Sequence, residues 1–356
     1  MPETNLLSNR AILPLLAAAV LWSGCGRAGR DASPDRDPQV AALAREVRPL
    51  GWIVLGARSE KGDWDLYVMR PDGSERRNLT NTPEFNEAAP RFSPDGRQLL
   101  YRRLPRDKRI DGNRYGMQGQ LVIARSDGTS PETCGKEGEY PWASWGPDGA
   151  QVACLEPKGI AFVDLASRKV VRRLDRKGIF QQLSWSPDGK WLTGVANVGE
   201  VWTIVRMDVA TGDLIPVHEY QNCTPHWFPD SRRLLFSYRP KDQETENKGA
   251  GWTQLCMAES DGRNASLVYG EDGVHVYGNM PSPDGNYVVF TRSVEEDGDP
   301  HHAGAPMAVM RLREAPAIGG QSRVLRKRHP KTNNAVLLEL PAGWKPHWAM
   351  PRFETN

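Results

Sequence analysis

The segment APRFSPDGRQLLYRR, residues 89–103, recurs in altered form four more times along the chain. The later copies are ASWGPDGAQVACLE (143–156), LSWSPDGKWLTGVA (183–196), PHWFPDSRRLLFSYR (225–239) and NMPSPDGNYVVFTR (279–292). Their central prolines are 53, 40, 42 and 54 residues apart, at Pro94, Pro147, Pro187, Pro229 and Pro283. Repeats of about 40–50 residues are typical of β-propeller blades. The two longer steps contain insertions at 104–119 and 239–251.

Each copy has the same local pattern. In four copies a short strand ends in an aromatic residue: Phe92, Trp145, Trp185 and Trp227. Pro-Asp-Gly or Pro-Asp-Ser follows, and this favours a tight turn, because proline fixes φ at about −65°, aspartate bonds to nearby backbone and glycine accepts a positive φ. An alternating apolar strand comes next, so each copy predicts a β-hairpin.

A second hairpin completes each unit, as in DLYVMRPDGSERRNLT (65–80), and four strands per unit make one propeller blade. The first unit, 51–80, lacks an inner strand. The C-terminal segment KPHWAMPRF (345–353) shares Pro-His-Trp with TPHWFPD (224–230) and supplies it. The sequence therefore predicts an all-β, six-bladed β-propeller over 51–356, with four-stranded antiparallel blades and a first blade closed by the C-terminal strand. Closure removes free sheet edges.

The segment DLYVMRPDGSERRNLTNTPEFNEAAPRFSPDG (65–96) resembles the WD-like repeat of the TolB β-propeller family. The resemblance extends over about 300 residues and implies a six-bladed, periplasmic, protein-binding propeller. It does not include the α/β domain that precedes the propeller in TolB, because only about 25 residues separate Cys25 from Gly51.

Composition excludes several classes of protein. Lys and Arg number 46 against 44 Asp and Glu, a net charge of +2, which argues against a nucleic-acid-binding protein. No run of 18 apolar residues is present, so a multi-span membrane protein is excluded. Five cysteines are too few for a disulfide-built scaffold. The disulfide state of the last four is left open: Cys134, Cys154, Cys223 and Cys256.

The N-terminus reads as an export signal. The apolar run AILPLLAAAVLW (11–22) has the length of a signal-peptide hydrophobic region, and Ser-Gly-Cys follows it. Small residues before Cys25 resemble the bacterial lipoprotein processing site, which implies cleavage before Cys25 and lipidation of its thiol. An ordinary secretory signal or an uncleaved anchor is the alternative.

These features predict a lipoprotein-type signal peptide over 1–25 and a flexible tether over 26–50, with a possible short helix at 38–47. We expect a protein of the periplasm or cell surface that contacts the membrane only through a lipid on Cys25. A secreted soluble protein is the alternative.

The three longest insertions, 104–119, 239–251 and 293–306, each join the second and third strands of a blade. In a propeller such loops share a face with the blade-to-blade connections, which the sequence places at 268–278 and 326–344. Loops on a rigid scaffold commonly carry function. This loop-rich face is therefore a predicted binding surface.

The insertions differ in charge. The first contains Arg106, Arg109 and Arg114 and would suit an acidic ligand, a lipid headgroup or a uronate sugar; solvated surface charge is the simpler interpretation. The third is acidic and contains His301 and His302, which are candidate ligands for a divalent metal, although no spacing motif supports a site.

A second candidate site lies at the channel mouth. His226 and His347 each precede the aromatic residue of an inner strand, two blades apart, and His275 lies in the connection before the sixth blade. With Arg91 they form the predicted channel-mouth set. This layout resembles the propeller oligogalacturonate lyases in placing histidines near the axis. Histidines hydrogen-bonded in blade interfaces are the simpler interpretation.

Two functions remain. No Gly-x-Ser-x-Gly elbow, P-loop or dinucleotide fingerprint occurs, and no catalytic set or required cofactor is predicted. The favoured interpretation is a non-enzymatic, monomeric scaffold of the cell envelope that binds a protein or glycan and no nucleic acid. The alternative is a metal-assisted carbohydrate-active enzyme that uses His226, His275 and His347.

Overall fold

The computed structural model describes residues 37–108, 119–175, 178–218, 222–239, 253–271, 274–294, 304–312, 335–351 and 353. Within these residues there are one helix and 24 strands, and the strands form six four-stranded antiparallel sheets. Contacts between successive innermost strands arrange the sheets around a common axis. The molecule is therefore a six-bladed β-propeller, as the repeats predict.

The blades follow one another in chain order, and in each the first-named strand is the innermost. Blade 1 contains β24 (Trp344–Ala349), β1 (Trp52–Arg58), β2 (Trp64–Met69) and β3 (Arg77–Asn78), and blade 2 contains β4 (Phe85–Phe92), β5 (Gln98–Pro105), β6 (Gln120–Arg125) and β7 (Glu132–Cys134). Blade 3 contains β8 (Ala143–Trp145), β9 (Gln151–Glu156), β10 (Gly159–Asp164) and β11 (Lys169–Leu174), and blade 4 contains β12 (Ile179–Trp185), β13 (Trp191–Val198), β14 (Val201–Asp208) and β15 (Leu214–His218). Blade 5 contains β16 (Asn222–Trp227), β17 (Arg233–Tyr238), β18 (Gln254–Glu259) and β19 (Ser266–Tyr269), and blade 6 contains β20 (Val274–Pro281), β21 (Tyr287–Val294), β22 (Met307–Arg311) and β23 (Leu338–Leu340).

The ring closes through the C-terminal strand. β24 pairs antiparallel with β1, with Trp348 opposite Ile53 and His347 opposite Val54. The two ends of the propeller chain therefore share one sheet, and the predicted closure is confirmed.

The Pro-Asp-Gly turns fix one end of each inner hairpin. In blade 2 the Ser93 N–H donates to the Gln98 carbonyl at 2.9 Å, and the Gly96 N–H donates to the Ser93 carbonyl at 2.9 Å. The Ser93 hydroxyl donates to Asp95 Oδ1 at 2.6 Å, and Gly96 has φ +72°, where glycine is favoured. We call the end of the ring that carries these turns (such as 93–97) the turn face. The opposite end, with connections such as 79–84, is the loop face.

Strand ends place most of the long insertions as predicted. β5 and β21 end at the loop face, where 104–119 and 293–306 begin; most of these insertions and of 239–251 lies outside the described residues. The predicted connection 326–344 is shorter than expected, because it contains β23: only 341–343 joins blade 6 to blade 1 at the loop face. β22 ends at Arg311, opposite Tyr287 beside the turn, so the chain leaves this sheet at the turn face and returns to it in β23. β23 is only three residues long and gave no recognisable pattern.

Apolar side chains fill the space between neighbouring blades. Blades 1 and 2, for example, bury Val54, Leu66, Phe92 and Leu99 against each other, each at most 2% exposed. Similar clusters lie between the other blades. This packing makes the ring a rigid frame around its axis.

Helix α1 (Pro38–Val47) packs on the outside of this frame. The Asp37 side chain accepts the Gln39 N–H at 2.7 Å and caps the helix. Leu43 and Val47, one turn apart, are fully buried in the cluster between blades 6 and 1. The carboxylate of Glu46 pairs with Arg311 at 2.7 Å.

The predicted flexible tether over 26–50 therefore needs a correction in its second half, while 26–36 lies outside the described residues. A helix does form at 38–47, but it is docked by its apolar side chains rather than flexible. The Trp348 indole N–H donates to the Leu50 carbonyl at 2.7 Å and holds the end of this stretch against the closing strand. Within the described ranges, no helix has the length and apolar character needed to cross a bilayer.

Candidate functional site

An extra residue interrupts the inner strand of five blades at equivalent positions. The pairing with the second strand shifts there, and one residue takes a φ between 51° and 60°. These positive-φ residues are Ala89, Gln182, Thr224, Gly278 and Lys345, and all line the axial channel. Such β-bulges re-aim side chains and are common beside functional sites.

The residues after the bulge form two further layers around the axis. Two residues after the positive-φ residue, and at the equivalent position of blade 3, the blades contribute Arg91, Ser144, Ser184, His226, Met280 and His347. The next position carries a large ring or a proline: Phe92, Trp145, Trp185, Trp227, Pro281 and Trp348. The channel is therefore built from equivalent positions of the repeat, with one residue from each blade in each layer.

Arg91 places a guanidinium group at the axis. Its Nη1 donates to the carbonyls of Pro90 at 2.9 Å, Lys345 at 3.1 Å and Pro346 at 3.3 Å. Burial lowers the pKa of Arg91 to about 10, so the side chain stays charged at pH 7. These bonds join blade 2 to the closing strand and hold the charge in the channel.

Lys345 adds a second cation. Its Nζ lies 5.0 Å from the ring centre of Trp142 and 5.7 Å from that of Trp344, distances that allow cation–π attraction. The residue is 9% exposed. Burial, followed by the charge of Arg91, lowers the pKa of Lys345 to about 8.

His347 links two blades. Its Nδ1 accepts the Phe92 backbone N–H at 3.2 Å, so the neutral ring carries its proton on Nε2. Ser144 makes the equivalent link elsewhere, because its hydroxyl accepts the Trp185 N–H at 2.9 Å. Burial, and then the charge of Arg91, holds the pKa of His347 well below 6.5. His347 is therefore neutral at pH 7.

His226 lies across the channel in blade 5. Burial lowers its pKa well below 6.5, and the charges of Arg91 and Lys345 and the ring of His347 act in the same direction. His226 and His347 line the same cavity, two blades apart as predicted.

Arg102, on the second strand of blade 2, is the most deeply buried cation of the channel. It is 3% exposed, and its Nη1 and Nη2 have no hydrogen-bond partner among the described residues. Burial lowers the pKa of Arg102 to about 10. The indole Nε1 of Trp142 is also buried without a partner in the described part of the chain. Both residues line a small cavity of about 40 Å³ together with Arg91, His226 and Lys345.

A wider funnel leads from this cavity to the turn face. It has a volume of about 420 Å³ and is lined by the two layers that follow the bulge and by the turn prolines Pro94, Pro147, Pro187, Pro229 and Pro283. Met350, 57% exposed, completes the rim. The small cavity and the funnel share Arg91 and His226 in their walls, so they adjoin each other along the axial channel.

The other predicted residues do not join this channel. Arg106 lies at the loop face and donates to the carbonyls of Pro83 at 3.1 Å and Lys61 at 2.5 Å. His275 pairs with Ser293 across the sheet of blade 6 and lines neither cavity. The remaining candidates lie outside the described residues: Cys25, Arg109, Arg114, His301 and His302. The cysteines left open by the sequence are free thiols, at Cys134, Cys154, Cys223 and Cys256.

Sequence reasoning missed Lys345 and did not place Arg102 in the channel. Lys345 could have been noticed, because it directly precedes the Pro-His-Trp motif that identified β24. The bulge that turns its side chain to the axis, however, is not visible in the sequence. Arg102 sits in an alternating strand among apolar residues, where a buried cation is not expected.

The electrostatics of the channel favour an anion over a metal cation. Neither cavity is lined by an aspartate or a glutamate among the described residues, and three cationic side chains line the inner one. In the described ranges, no group of three or more His, Cys, Asp and Glu side chains could hold a metal ion. A divalent cation beside His226 and His347 would be repelled by Arg91 and Lys345.

Comparisons with known proteins agree with this architecture. The chain is similar in structure to TolB from Acinetobacter baumannii, with a TM-score of 0.60 and 15% identity, over 85% of this chain and 67% of that one. A protein assigned as TolB from Agrobacterium tumefaciens aligns with a TM-score of 0.53 and 22% identity, over 83% of this chain and 90% of that one. The fold is a TolB-like β-propeller. The resemblance found in the repeats is thus confirmed.

Sequence comparison adds less about this TolB-like propeller. No family model matches the chain. The uncharacterized protein Atu1656 of Agrobacterium fabrum is 24% identical over 261 residues, which cover 59% of this chain and 86% of the relative. These identities establish the fold alone.

Proposed function

We propose that the protein is a non-enzymatic binding propeller of the cell envelope, which engages a segment of a partner protein through the funnel at its turn face. The observation that carries this proposal is the funnel itself, an apolar and aromatic opening of about 420 Å³ on a rigid ring. Ligand sites are typically concave, largely apolar and preformed, with a few polar groups. The channel-mouth residues predicted from sequence, His226, His347 and Arg91, line it.

The chemistry of the funnel wall favours a protein segment over a glycan. The indole N–H groups of the four wall tryptophans are already bonded to carbonyls within the propeller: Trp145 to Arg91 at 2.9 Å, Trp185 to Gly189 at 3.1 Å, Trp227 to Ser184 at 3.3 Å and Trp348 to Leu50 at 2.7 Å. The wall therefore offers apolar ring and proline surface with few free donors. Apolar side chains suit such a wall better than a hydroxyl-rich sugar, which needs hydrogen-bond partners.

Placement in the envelope rests on the N-terminal sequence. The apolar run 11–22 and the following Ser-Gly-Cys support export and lipidation at Cys25, with the segment before this cysteine removed as a signal peptide. Metabolic labelling with a radioactive fatty acid tests this. Label should appear on the wild type and be lost in Cys25→Ala, whereas equal labelling of both would exclude the anchor.

The binding function is tested by site-specific photocrosslinking in envelope extract. A benzophenone side chain at Met350, on the funnel rim, should capture a discrete partner. The same group at Val171, which is 55% exposed on the outer strand of blade 3, should not. Ser184→Trp would fill the funnel and abolish capture from position 350, while Val171→Trp would leave it unchanged. Capture that survives Ser184→Trp would contradict the proposal, and a captured glycan would replace the protein partner.

A further inference from the structure

We infer that the inner cavity of the channel is an anion site, which receives a carboxylate or phosphate group of the ligand between Arg102, Lys345 and Arg91. This inference names the ligand chemistry of the channel and takes only its location from the proposed function.

Unpaired donors are the first support. Arg102 is only 3% exposed, yet neither terminal nitrogen of its guanidinium group has a hydrogen-bond partner among the described residues. The Trp142 indole N–H, in the same cavity wall, is likewise unpaired there. Buried polar groups are nearly always bonded, so three donor nitrogens in the wall of one cavity call for an acceptor.

Uncompensated charge is the second support. The whole chain is almost neutral, with 46 basic and 44 acidic residues, but the wall of the inner cavity contains Arg91, Arg102 and Lys345 and no described acidic residue. Buried cations are normally paired, because an unpaired charge in a protein interior is costly. A single ligand group that pairs with all three cations is an anion.

Size and access define the class of ligand. A cavity of about 40 Å³ holds about three water molecules at roughly 10–15 Å³ each, which matches a carboxylate or a phosphate group. The funnel that opens onto it is apolar and about ten times larger. The channel therefore fits an anionic group attached to an apolar or aromatic body, with the charge inward and the body in the funnel.

Thermal unfolding of the full-length protein tests the site, with sodium benzoate as the carboxylate probe, sodium phosphate as the second anion and benzyl alcohol as the uncharged analogue. Ionic strength is held constant with sodium chloride. A saturable rise of the unfolding midpoint is expected with benzoate and not with benzyl alcohol. A rise with benzoate alone identifies a carboxylate site, and a rise with phosphate alone identifies a phosphate site.

Variants locate the effect. Lys345→Met and Arg102→Met should weaken the apparent affinity for the responding anion at least tenfold, and Arg97→Met, whose side chain is 69% exposed, should leave it unchanged. An equal rise with benzoate and benzyl alcohol, no response to either anion, or an unchanged response in both cavity variants would overturn the inference. Should a cavity variant fail to fold, the comparison of the responding anion with benzyl alcohol on the wild type still decides. The titration contains no partner protein, so its failure leaves the crosslinking result from Met350 intact.

Discussion

Replacing Lys345 by methionine should make the ligand-free protein more stable. The pKa of Lys345 falls from its ordinary value of 10.5 to about 8 in the folded protein, which corresponds to about 3 kcal/mol of destabilisation at pH 7. Burial is the main cause and the charge of Arg91 the second, while Cys223 opposes them weakly. Methionine keeps the apolar stem against Trp142 and Trp344 but loses the cation–π attraction, worth about 1 kcal/mol. The net gain is about 2 kcal/mol.

The sign of the pH dependence follows from the same pKa. Since the pKa of Lys345 is lower in the folded than in the unfolded state, the unfolded chain binds more protons between pH 8 and pH 10.5. The stability of the wild type therefore rises across this window relative to Lys345→Met, and the difference between them disappears above it. The difference in stability between the two proteins is fully present below pH 8.

Urea unfolding of both proteins from pH 7 to pH 10.5, in buffers free of carboxylate and phosphate, measures this difference. Groups that do not interact with Lys345 cancel in the comparison, so the pH profile of the difference belongs to Lys345 and to the two groups whose pKa values its charge lowers, Cys223 and His226. A variant that is less stable than the wild type at pH 7 would refute the reasoning. A difference that stays constant with pH would refute it as well, because a titrating lysine would then not be its source.

Three further outcomes can be measured by chemical unfolding. Trp348→Ala should lower the free energy of unfolding by about 3–5 kcal/mol, because this ring packs in the core and its indole N–H bonds to the chain after α1. Trp348→Phe removes mainly the indole bond and should cost about 1 kcal/mol, so equal costs would show that this bond dominates. Burial and the charge of Arg91 hold the pKa of His347 well below 6.5, so its contribution to stability is present above pH 6.5 and is lost as the pH falls, when protonation breaks the bond from Phe92. His347→Gln should therefore reduce the loss of stability at acid pH, and an unchanged loss would assign it to other groups. Glu46→Gln should cost no more than about 1 kcal/mol and speed hydrogen exchange in α1 alone, whereas faster exchange throughout blade 6 would mean that the helix supports the sheet.

Much of the fold could be predicted from sequence because its information is local. Each turn is specified within about six residues by bonds such as those around Ser93 and Asp95, and it recurs as Pro-Asp-Gly or Pro-Asp-Ser in every later blade. The closing strand was found through Pro-His-Trp alone. β23 was missed because three residues carry no periodicity, and the docking of α1 was missed because its partners, such as Arg311, lie far away in sequence.

The site was less predictable, since it depends on backbone detail and on distant contacts. Alternation in a strand assigns side chains to two faces, but the bulges at Ala89 and Lys345 break that alternation and turn residues toward the axis. Two of the histidines that sequence nominated, His226 and His347, do line the channel, while its charge comes largely from Lys345 and Arg102, which periodicity hides.

The repeat itself shows which channel residues the scaffold does not need. At the bulge position other blades use Ala89, Gln182, Thr224 or Gly278, so the turn of the backbone requires no cation. At the position of Arg91 and His347, blades 3 and 4 use serines, and Ser144 makes the same inter-blade bond as His347 with a smaller group. Arg91 does bond to carbonyls of the closing strand, but Lys345 and Arg102 lower the stability of the fold without an evident structural return. Departures from local rules that cost stability are expected at functional sites. Lys345 and Arg102 are therefore better explained by what the channel binds than by how the propeller is built.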